Sequence, residues 1–168
     1  MGTLVGAVKK AWEELDKPDE FVKGEEFEHY VASVLFPDEQ YQRVKKAPGF
    51  MDNIDGFYES SKEPDFAFRA RKSGKEFYVE AKYRSSLYNG ALDWSKPYQL
   101  KRYHLFDKTT PVFVAIGLGN RASEPAYVFL IPVRLIQYRG LFPSFLQKYE
   151  IPAGRPVMET DLLKLMSL

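Results

Sequence analysis

The chain of 168 residues contains no cysteine and only two histidines, His29 and His104. The lack of cysteine excludes disulfide bonds, thiolate catalysis and cysteine-ligated zinc, and so few histidines disfavour an imidazole-built metal site. Any bound metal ion is therefore expected to have oxygen ligands. No apolar run approaches the roughly 18 residues of a membrane span, and the first residues do not resemble an export signal. We therefore expect a cytoplasmic protein that makes no contact with a membrane.

The charges of the chain nearly cancel but are unevenly distributed. The formal net charge is +1, whereas acidic residues crowd the first quarter and lysine and arginine dominate residues 69–108. A polyanion would be attracted to the basic half. An ordinary solvated mixture of charges explains the pattern equally well, because nucleic-acid-binding proteins often have a pI above about 9 and this chain has a pI near 7.8. Charge alone does not decide the function.

Hydrophobic residues make up 45% of the chain and charged residues 28%, which is typical of a folded globular protein. No repeat or Gly/Ser-rich linker divides the sequence, so we predict a single domain over residues 1–168. Within it we expect an N-terminal helix or arm at 1–23. A core at 24–131 would hold the candidate catalytic residues, and a C-terminal helical extension would follow at 132–168.

The spacing of apolar residues predicts the secondary structure. Helical spacing occurs at 4–15, 25–36 and 98–106. Strands are expected at 39–47, 65–71, 76–84, 112–118 and 127–131. The second and third strands alternate apolar with polar residues around a Ser-Gly turn, which is typical of a β-hairpin. These segments predict an α/β fold in which helices flank a central mixed sheet.

The hairpin brings acidic and basic side chains together. If residues 73–74 form a two-residue loop, Asp65 lies opposite Lys82 and Glu80 lies opposite Ala67. Asp65, Glu80 and Lys82 then share one face of the hairpin, within reach of one another. Two carboxylates and an ammonium group would converge there.

Two carboxylates in a poorly solvated site repel each other, so a cation between them would explain their placement. Magnesium prefers oxygen ligands and is typically held by one or two carboxylates together with water and substrate phosphate. Such an ion activates water for attack on a phosphodiester, and Lys82 would orient that water or pair with the phosphate. A surface hairpin with a salt bridge between Lys82 and an acid explains the same spacing equally well.

Pro64-Asp65 followed by Glu80-Ala81-Lys82 in a strand-turn-strand resembles the signature of the PD-(D/E)XK nuclease superfamily, which includes restriction enzymes, Holliday junction resolvases and RecB-type nucleases. The resemblance implies a restriction endonuclease-like fold with an αβββαβ core. It also implies that both carboxylates and the Ala81 carbonyl bind Mg²⁺ or Mn²⁺ for hydrolysis of nucleic acid, with DNA favoured.

A second motif lies at the start of the first core helix. Gly24-Glu-Glu-Phe-Glu28 resembles the Gly-x-x-x-Glu segment of this superfamily, whose glutamate often helps to bind the metal ion. The resemblance therefore implies that Glu28 is a third carboxylate ligand. The alternative is a solvated glutamate on the helix surface.

A third motif lies on the helix after the hairpin. Gln99 and Tyr103 resemble the Gln-x-x-x-Tyr element of RecB-type nucleases, and residues four apart share one helical face. The resemblance implies that both order the site or contact substrate, with Lys101 and Arg102 close enough to touch phosphates. The alternative is that Tyr103 belongs to the core and Gln99 to the surface.

The motifs cover residues 24 to about 118 and favour a metal-dependent phosphodiesterase, that is, a nuclease. The alternative is a non-catalytic module with the same fold that binds nucleic acid or another protein, which the modest net charge also permits. A homodimer would supply one site for each strand of a duplex. The motifs do not distinguish DNA from RNA, or cleavage within a strand from cleavage at its end.

Overall fold

A computed structural model describes residues 19–44 and 63–168. The helix predicted at 4–15 lies outside these residues, and so does most of the N-terminal arm predicted at 1–23. Within the two described ranges, no helix has the length and apolar character that a membrane span would need.

Four helices and eight strands follow one another in the described residues. The helices are α1 (Asp19–Tyr30), α2 (Pro97–Asp107), α3 (Pro143–Leu146) and α4 (Glu159–Met166), and α1 continues as a π-helical segment at Val31–Leu35. The strands are β1 (Tyr41–Arg43), β2 (Phe66–Ala70), β3 (Glu76–Arg84), β4 (Leu92–Asp93), β5 (Val112–Leu118), β6 (Tyr127–Pro132), β7 (Gly140–Leu141) and β8 (Glu150–Ile151). The helices predicted at 25–36 and 98–106 are therefore present.

The central sheet has six strands in the order β1-β2-β3-β5-β6-β8. β3 and β5 are parallel, and the other neighbouring strands are antiparallel, so the sheet is mixed as predicted. From α1 to β5 the elements follow the predicted αβββαβ order, with the short β4 inserted before α2. β4 pairs with β7 in a separate two-stranded ribbon.

Two hydrophobic layers cover the two faces of the sheet. The layer between the sheet and α1 is rich in aromatic rings, namely Phe27, Tyr30, Phe36, Phe68, Phe77 and Phe113. The layer between the sheet and α2 contains Tyr103, Phe106, Val112, Val114, Ile116 and Ile131. Because successive residues of a strand point to opposite faces, β3 contributes Phe77 and Val79 to the first layer and Tyr78 to the second. Each fully buried ring stabilises the fold by roughly 1.5–3 kcal/mol.

The C-terminal segment is more than the helical extension predicted at 132–168. It supplies β8, which pairs with β6 at the sheet edge, and it supplies β7 to the ribbon. Val157 and Leu162 are buried in the aromatic layer, and the amide of Val157 donates to the Leu35 carbonyl at 2.9 Å. The prediction missed both strands because a strand of two residues has no detectable alternation.

The β2–β3 register differs from the predicted one. Ala67 pairs with Tyr78, not with Glu80, and continuing this register places Asp65 beside Glu80 and not beside Lys82. The shift is two residues. A shift by an even number keeps every side chain on its original face, so the predicted common face of Asp65, Glu80 and Lys82 survives the error.

The connection between the two strands explains the shift. The amide of Ala70 donates to the Lys75 carbonyl at 2.8 Å, and the amide of Gly74 donates back to the Ala70 carbonyl at 2.9 Å. The turn is therefore longer than the predicted two-residue loop at 73–74. Gly74 has a φ of 75°, a left-handed conformation that glycine adopts without steric cost.

Gly117 on β5 provides a test of the packing between α1 and the sheet. A Cβ atom at this position would lie 2.4 Å from the ring of Phe27. We therefore expect Gly117→Ala to lower the free energy of unfolding by about 1–3 kcal/mol, as overpacking of a core does. Chemical denaturation measures this change.

The matched control is Gly24→Ala. Gly24 lies in α1, where an added Cβ atom would meet nothing within 4 Å. Alanine favours helix over glycine by about 0.5–1 kcal/mol, so this variant should be as stable as the parent or slightly more stable. Equal destabilisation by both substitutions would contradict the close approach of Phe27 to Gly117.

Candidate active site

The candidate site lies where β2 begins and β3 continues past it. Asp65 immediately precedes β2, and Phe66, the first residue of that strand, pairs with Val79. Among the described residues, Glu80 to Arg84 of β3 pair with β5 and no longer with β2. Alternation along β3 places Glu80 and Lys82 on one face, and the register places Asp65 next to them.

Three close contacts join these residues. The amide of Asp65 donates to Glu80 Oε2 at 3.2 Å, and the amide of Ala81 donates to Asp65 Oδ2 at 2.9 Å. Lys82 Nζ lies 2.8 Å from Glu80 Oε1. The hairpin therefore brings together the two carboxylates and the ammonium group that the sequence places on a common face.

The two carboxylates differ in burial. Glu80 is only 3% exposed, whereas Asp65 is partly buried. Burial first, and then the charge of Glu80, raises the pKa of Asp65 to about 7, although the Ala81 amide and Lys82 oppose the shift. Lys82 therefore does not offset the effects of burial and of Glu80 on Asp65.

Glu28 reaches the same region from α1. Its pKa is raised by burial first and then by the charges of Glu80 and Glu25, while Lys82 and Arg43 lower it. Glu28 is therefore a half-buried group within electrostatic range of the site. Even so, no three acidic or histidine side chains of residues 19–44 and 63–168 are arranged as a ready-made metal site.

α2 supplies Tyr103, which is buried and hydrogen-bonded to the Glu80 side chain. Burial, then the charge and hydrogen bond of Glu80, raise the pKa of the Tyr103 hydroxyl. Tyr103 thus contacts a site carboxylate and belongs to the core as well. Its ring packs in a hydrophobic layer, and its hydroxyl reaches Glu80.

The other residues of the third motif have different surroundings. Gln99 Oε1 accepts a hydrogen bond from the Lys96 amide at 3.0 Å, which caps the first turn of α2. Lys101 is exposed, and the guanidinium group of Arg102 lies 5.5 Å from the ring centroid of Tyr98. Gln99 therefore orders the helix that carries Tyr103.

Two further residues, Trp94 and Arg84, stabilise this arrangement, and the role of Arg84 was not predicted from the sequence. Trp94 is fully buried and stacks on Tyr103, with ring centroids 6.3 Å apart. Arg84 donates from Nε to the Asp93 carbonyl at 2.8 Å. Arg84 carries a detectable signal, since it lies two residues after Lys82 and so on the same face of β3.

Arg43 on β1 was also missed. Its guanidinium group lies 4.7 Å from the ring centroid of Phe66, the residue after Asp65, and its charge acts on Glu28. Nothing in the local sequence indicates this proximity, because it depends on the pairing of β1 with β2 across a segment of more than twenty residues.

The donor set of the site fits a hard divalent cation. It consists of the adjacent Asp65 and Glu80 carboxylates, both oxygen donors, with Glu28 nearby. Magnesium needs only one or two protein carboxylates, since water and substrate phosphate complete its coordination. Burial first and then the charge of Glu80 raise the pKa of Asp65, and a bound cation would oppose the effect of Glu80.

The Asp65 carboxyl predicts a pH dependence of stability. Its pKa rises from 3.8 to about 7 on folding, so between these values the folded chain holds a proton that the unfolded chain has released. The contribution of Asp65 to stability is then fully present below about pH 4 and is lost as the pH rises through 7. In metal-free buffer, Asp65→Asn should lose less stability than the parent over this range. Chemical denaturation measures both, and parallel pH profiles would contradict the buried charge.

Comparison with known proteins gives limited similarity. No protein-family profile matches the chain, and no curated protein sequence matches it. The solved structure of Hjc, a Holliday junction resolvase from the archaeal hyperthermophile Archaeoglobus fulgidus, is similar over 74% of this chain and 89% of that chain, with 14% identity and a TM-score of 0.47. At this level of similarity, a function can be assigned only from the geometry of the site itself.

Proposed function

We propose that this protein is a divalent-metal-dependent nuclease that hydrolyses phosphodiester bonds, with DNA as the favoured substrate. One observation carries the proposal: partly buried Asp65 lies beside buried Glu80, and Lys82 Nζ lies 2.8 Å from Glu80 Oε1. Placing two poorly solvated carboxylates side by side costs stability, and coordination of a metal ion would offset that cost. The superfamily motifs fall on these same residues.

Asp65, Glu80 and the Ala81 carbonyl would hold Mg²⁺ or Mn²⁺, with Glu28 as a further carboxylate close by. When bound, such an ion neutralises charge on the phosphate and lowers the pKa of the attacking water. The Ala81 amide orients the Asp65 carboxylate through its 2.9 Å hydrogen bond. The Tyr103 hydroxyl does the same for Glu80.

Lys82 has the position of a group that acts on the substrate. An ammonium group has three N–H donors, so its contact with Glu80 leaves others for an attacking water or a phosphate oxygen. Its side chain is 21% exposed, so substrate can approach it. On α2, Lys101 and Arg102 would contact neighbouring phosphates, while Gln99 keeps the first turn of that helix in place.

A second candidate function is a module that binds nucleic acid without cutting it. The observation in its favour is that Glu80 already has Lys82 as a counter-ion, while the described residues contain no ready-made group of three metal ligands. Calorimetric titration with Mg²⁺ or Mn²⁺ separates the two functions, because a non-catalytic module has no need to bind either ion.

Substitution of the site residues tests the nuclease. Asp65→Ala or Lys82→Ala should each lower metal-dependent cleavage by at least about 100-fold, since each removes a group that acts on the reacting atoms. The measurement uses Mg²⁺ or Mn²⁺ with a panel of plasmid, linear duplex, single-stranded and branched DNA, together with RNA.

Glu76→Ala is the matched control. Glu76 is an exposed carboxylate on the same strand, and it pairs with Arg69 instead of the site residues. Its loss should leave cleavage unchanged, and circular dichroism should show that all three variants fold. Undiminished cleavage by both Asp65→Ala and Lys82→Ala would refute the assignment.

The role of Tyr103 predicts a smaller effect. Tyr103→Phe keeps the buried ring but removes the hydroxyl that contacts Glu80, so we expect cleavage or metal affinity to fall by about 10- to 100-fold, as it does for groups that support a metal ligand. Tyr98→Phe removes an exposed hydroxyl from the same helix and should have no effect. Equal activity of the two variants would show that the hydroxyl of Tyr103 does not act on Glu80.

A further inference from the structure

A pocket of about 610 Å³ lies on the C-terminal segment around β7 and the start of α3. Its lining consists of Leu135, Gln137, Tyr138, Gly140, Leu141, Phe142 and Phe145. Tyr138 is 73% exposed and Phe142 is 61% exposed. Large rings left open to water beside an apolar pocket are typical of a binding site, and a volume of 300–1,000 Å³ suits a small ring system.

The backbone beneath these rings is held in place. In the ribbon, Leu141 of β7 pairs with Leu92 of β4. Trp94 adds two hydrogen bonds, from its amide to the Arg139 carbonyl at 3.2 Å and from its indole Nε1 to the Tyr138 carbonyl at 3.4 Å. The exposed rings therefore project from a fixed platform.

This platform is connected to the candidate active site. Trp94, which bonds the Tyr138 carbonyl, also stacks on Tyr103, and Tyr103 is hydrogen-bonded to Glu80. Arg84, two residues after Lys82, bonds the carbonyl before Trp94. Trp94 and Tyr103 are buried, so they connect the platform to the site through the interior, while Arg84 links the end of β3 to the ribbon on which the pocket lies.

The rim of the pocket has further groups that suit a nucleotide. Arg139 is exposed between Tyr138 and Gly140, where its charge can meet a backbone phosphate, although the exposed Asp93 lies on the partner strand. Tyr88 is 77% exposed and is bridged to Ala91, whose Cβ atom is 3.8 Å from the Cβ position of Gly140. Exposed rings and a cation occur together along this surface.

We propose that this pocket binds an unpaired nucleobase of the strand whose phosphodiester lies in the active site. The inference rests on the proposed function and narrows its substrate to nucleic acids with unpaired nucleotides beside the cleaved bond. Tyr138 and Phe142 supply stacking surfaces, and the Gln137 amide supplies a donor and an acceptor for a base edge. Bases inside an intact duplex are already stacked and paired, so they cannot enter.

A protein partner fits this pocket less well. A stable protein interface buries about 800 Å² on each partner, which seven lining residues and a single pocket do not supply by themselves. A nucleobase needs only a small planar slot and a nearby cation, and stacking on one aromatic ring contributes about 1–3 kcal/mol. The observed groups match the smaller ligand.

The test measures binding without cleavage. Wild type and variants, each in metal-free buffer, are titrated with a single-stranded DNA oligonucleotide that carries 2-aminopurine, whose fluorescence reports stacking, and with a duplex of the same sequence. Tyr138→Ala and Phe142→Ala should each weaken single-strand binding by about 5- to 150-fold and should not change duplex binding. Tyr138→Trp should retain binding because it keeps a ring.

Tyr127→Ala is the matched control, since Tyr127 is an exposed aromatic residue of β6 that does not line the pocket. Because stacking is not ionic, the salt dependence of binding should be unchanged in Tyr138→Ala and reduced in Arg139→Ala. Loss of binding to the same extent in Tyr127→Ala, or no loss in Tyr138→Ala and Phe142→Ala, would overturn the proposal. If Tyr138→Ala and Phe142→Ala lose only self-association, as measured by sedimentation, the pocket binds a second copy of the chain. That result would also overturn the proposal.

The outcome for the nuclease is separate. If no metal ion supports cleavage but Tyr138→Ala still weakens binding of the oligonucleotide, the pocket stands and the nuclease proposal fails. If cleavage depends on Asp65 and Lys82 but oligonucleotide binding is unchanged in Tyr138→Ala and Phe142→Ala, the nuclease proposal stands and the pocket proposal fails. If the wild type binds neither DNA form, the pocket proposal fails, and the metal-dependent cleavage assay alone decides the nuclease.

Discussion

The side-by-side burial of two carboxylates is the constraint on which the whole site depends. Like charges in a poorly solvated place are costly unless hydrogen bonds and cations compensate them. The Ala81 amide bonds Asp65, while Lys82 and the Tyr103 hydroxyl contact Glu80. Burial and the charge of Glu80 still raise the pKa of Asp65 to about 7, so these contacts offset the two causes only in part. The proposed metal ion would supply the missing positive charge.

The position of β3 explains why residues from distant elements meet at this cluster. β3 lies between β2 and β5, and its alternating side chains enter both hydrophobic layers. The end of β3 that carries Glu80 and Lys82 lies beside the start of β2. Glu28 of α1 approaches this end from one layer, and Tyr103 of α2 approaches it from the other. Trp94 then ties Tyr103 to the β4–β7 ribbon. Buried contacts thereby connect the site to the ribbon that carries the aromatic pocket.

Most of the core elements could be predicted from the sequence, because amphipathic helices and alternating strands leave a local periodic signal. The hairpin register could not be, since the loop length depends on hydrogen bonds between Ala70, Gly74 and Lys75. The error was harmless to the site because an even shift preserves the faces of both strands. β7 and β8 were not predicted at all, because strands of two residues are too short to show alternation.

The sequence by itself determined the chemistry available to this protein. Without cysteine and with only two histidines, any metal must have oxygen ligands, and the spacing of Glu80 and Lys82 places them on one face of a strand. Only the tertiary structure decided which distant groups meet that face. The contact of Tyr103 with Glu80 and the approach of Arg43 to Glu28 depend on packing between segments far apart in the chain. Such contacts follow from the burial of whole surfaces, and no local pattern encodes them.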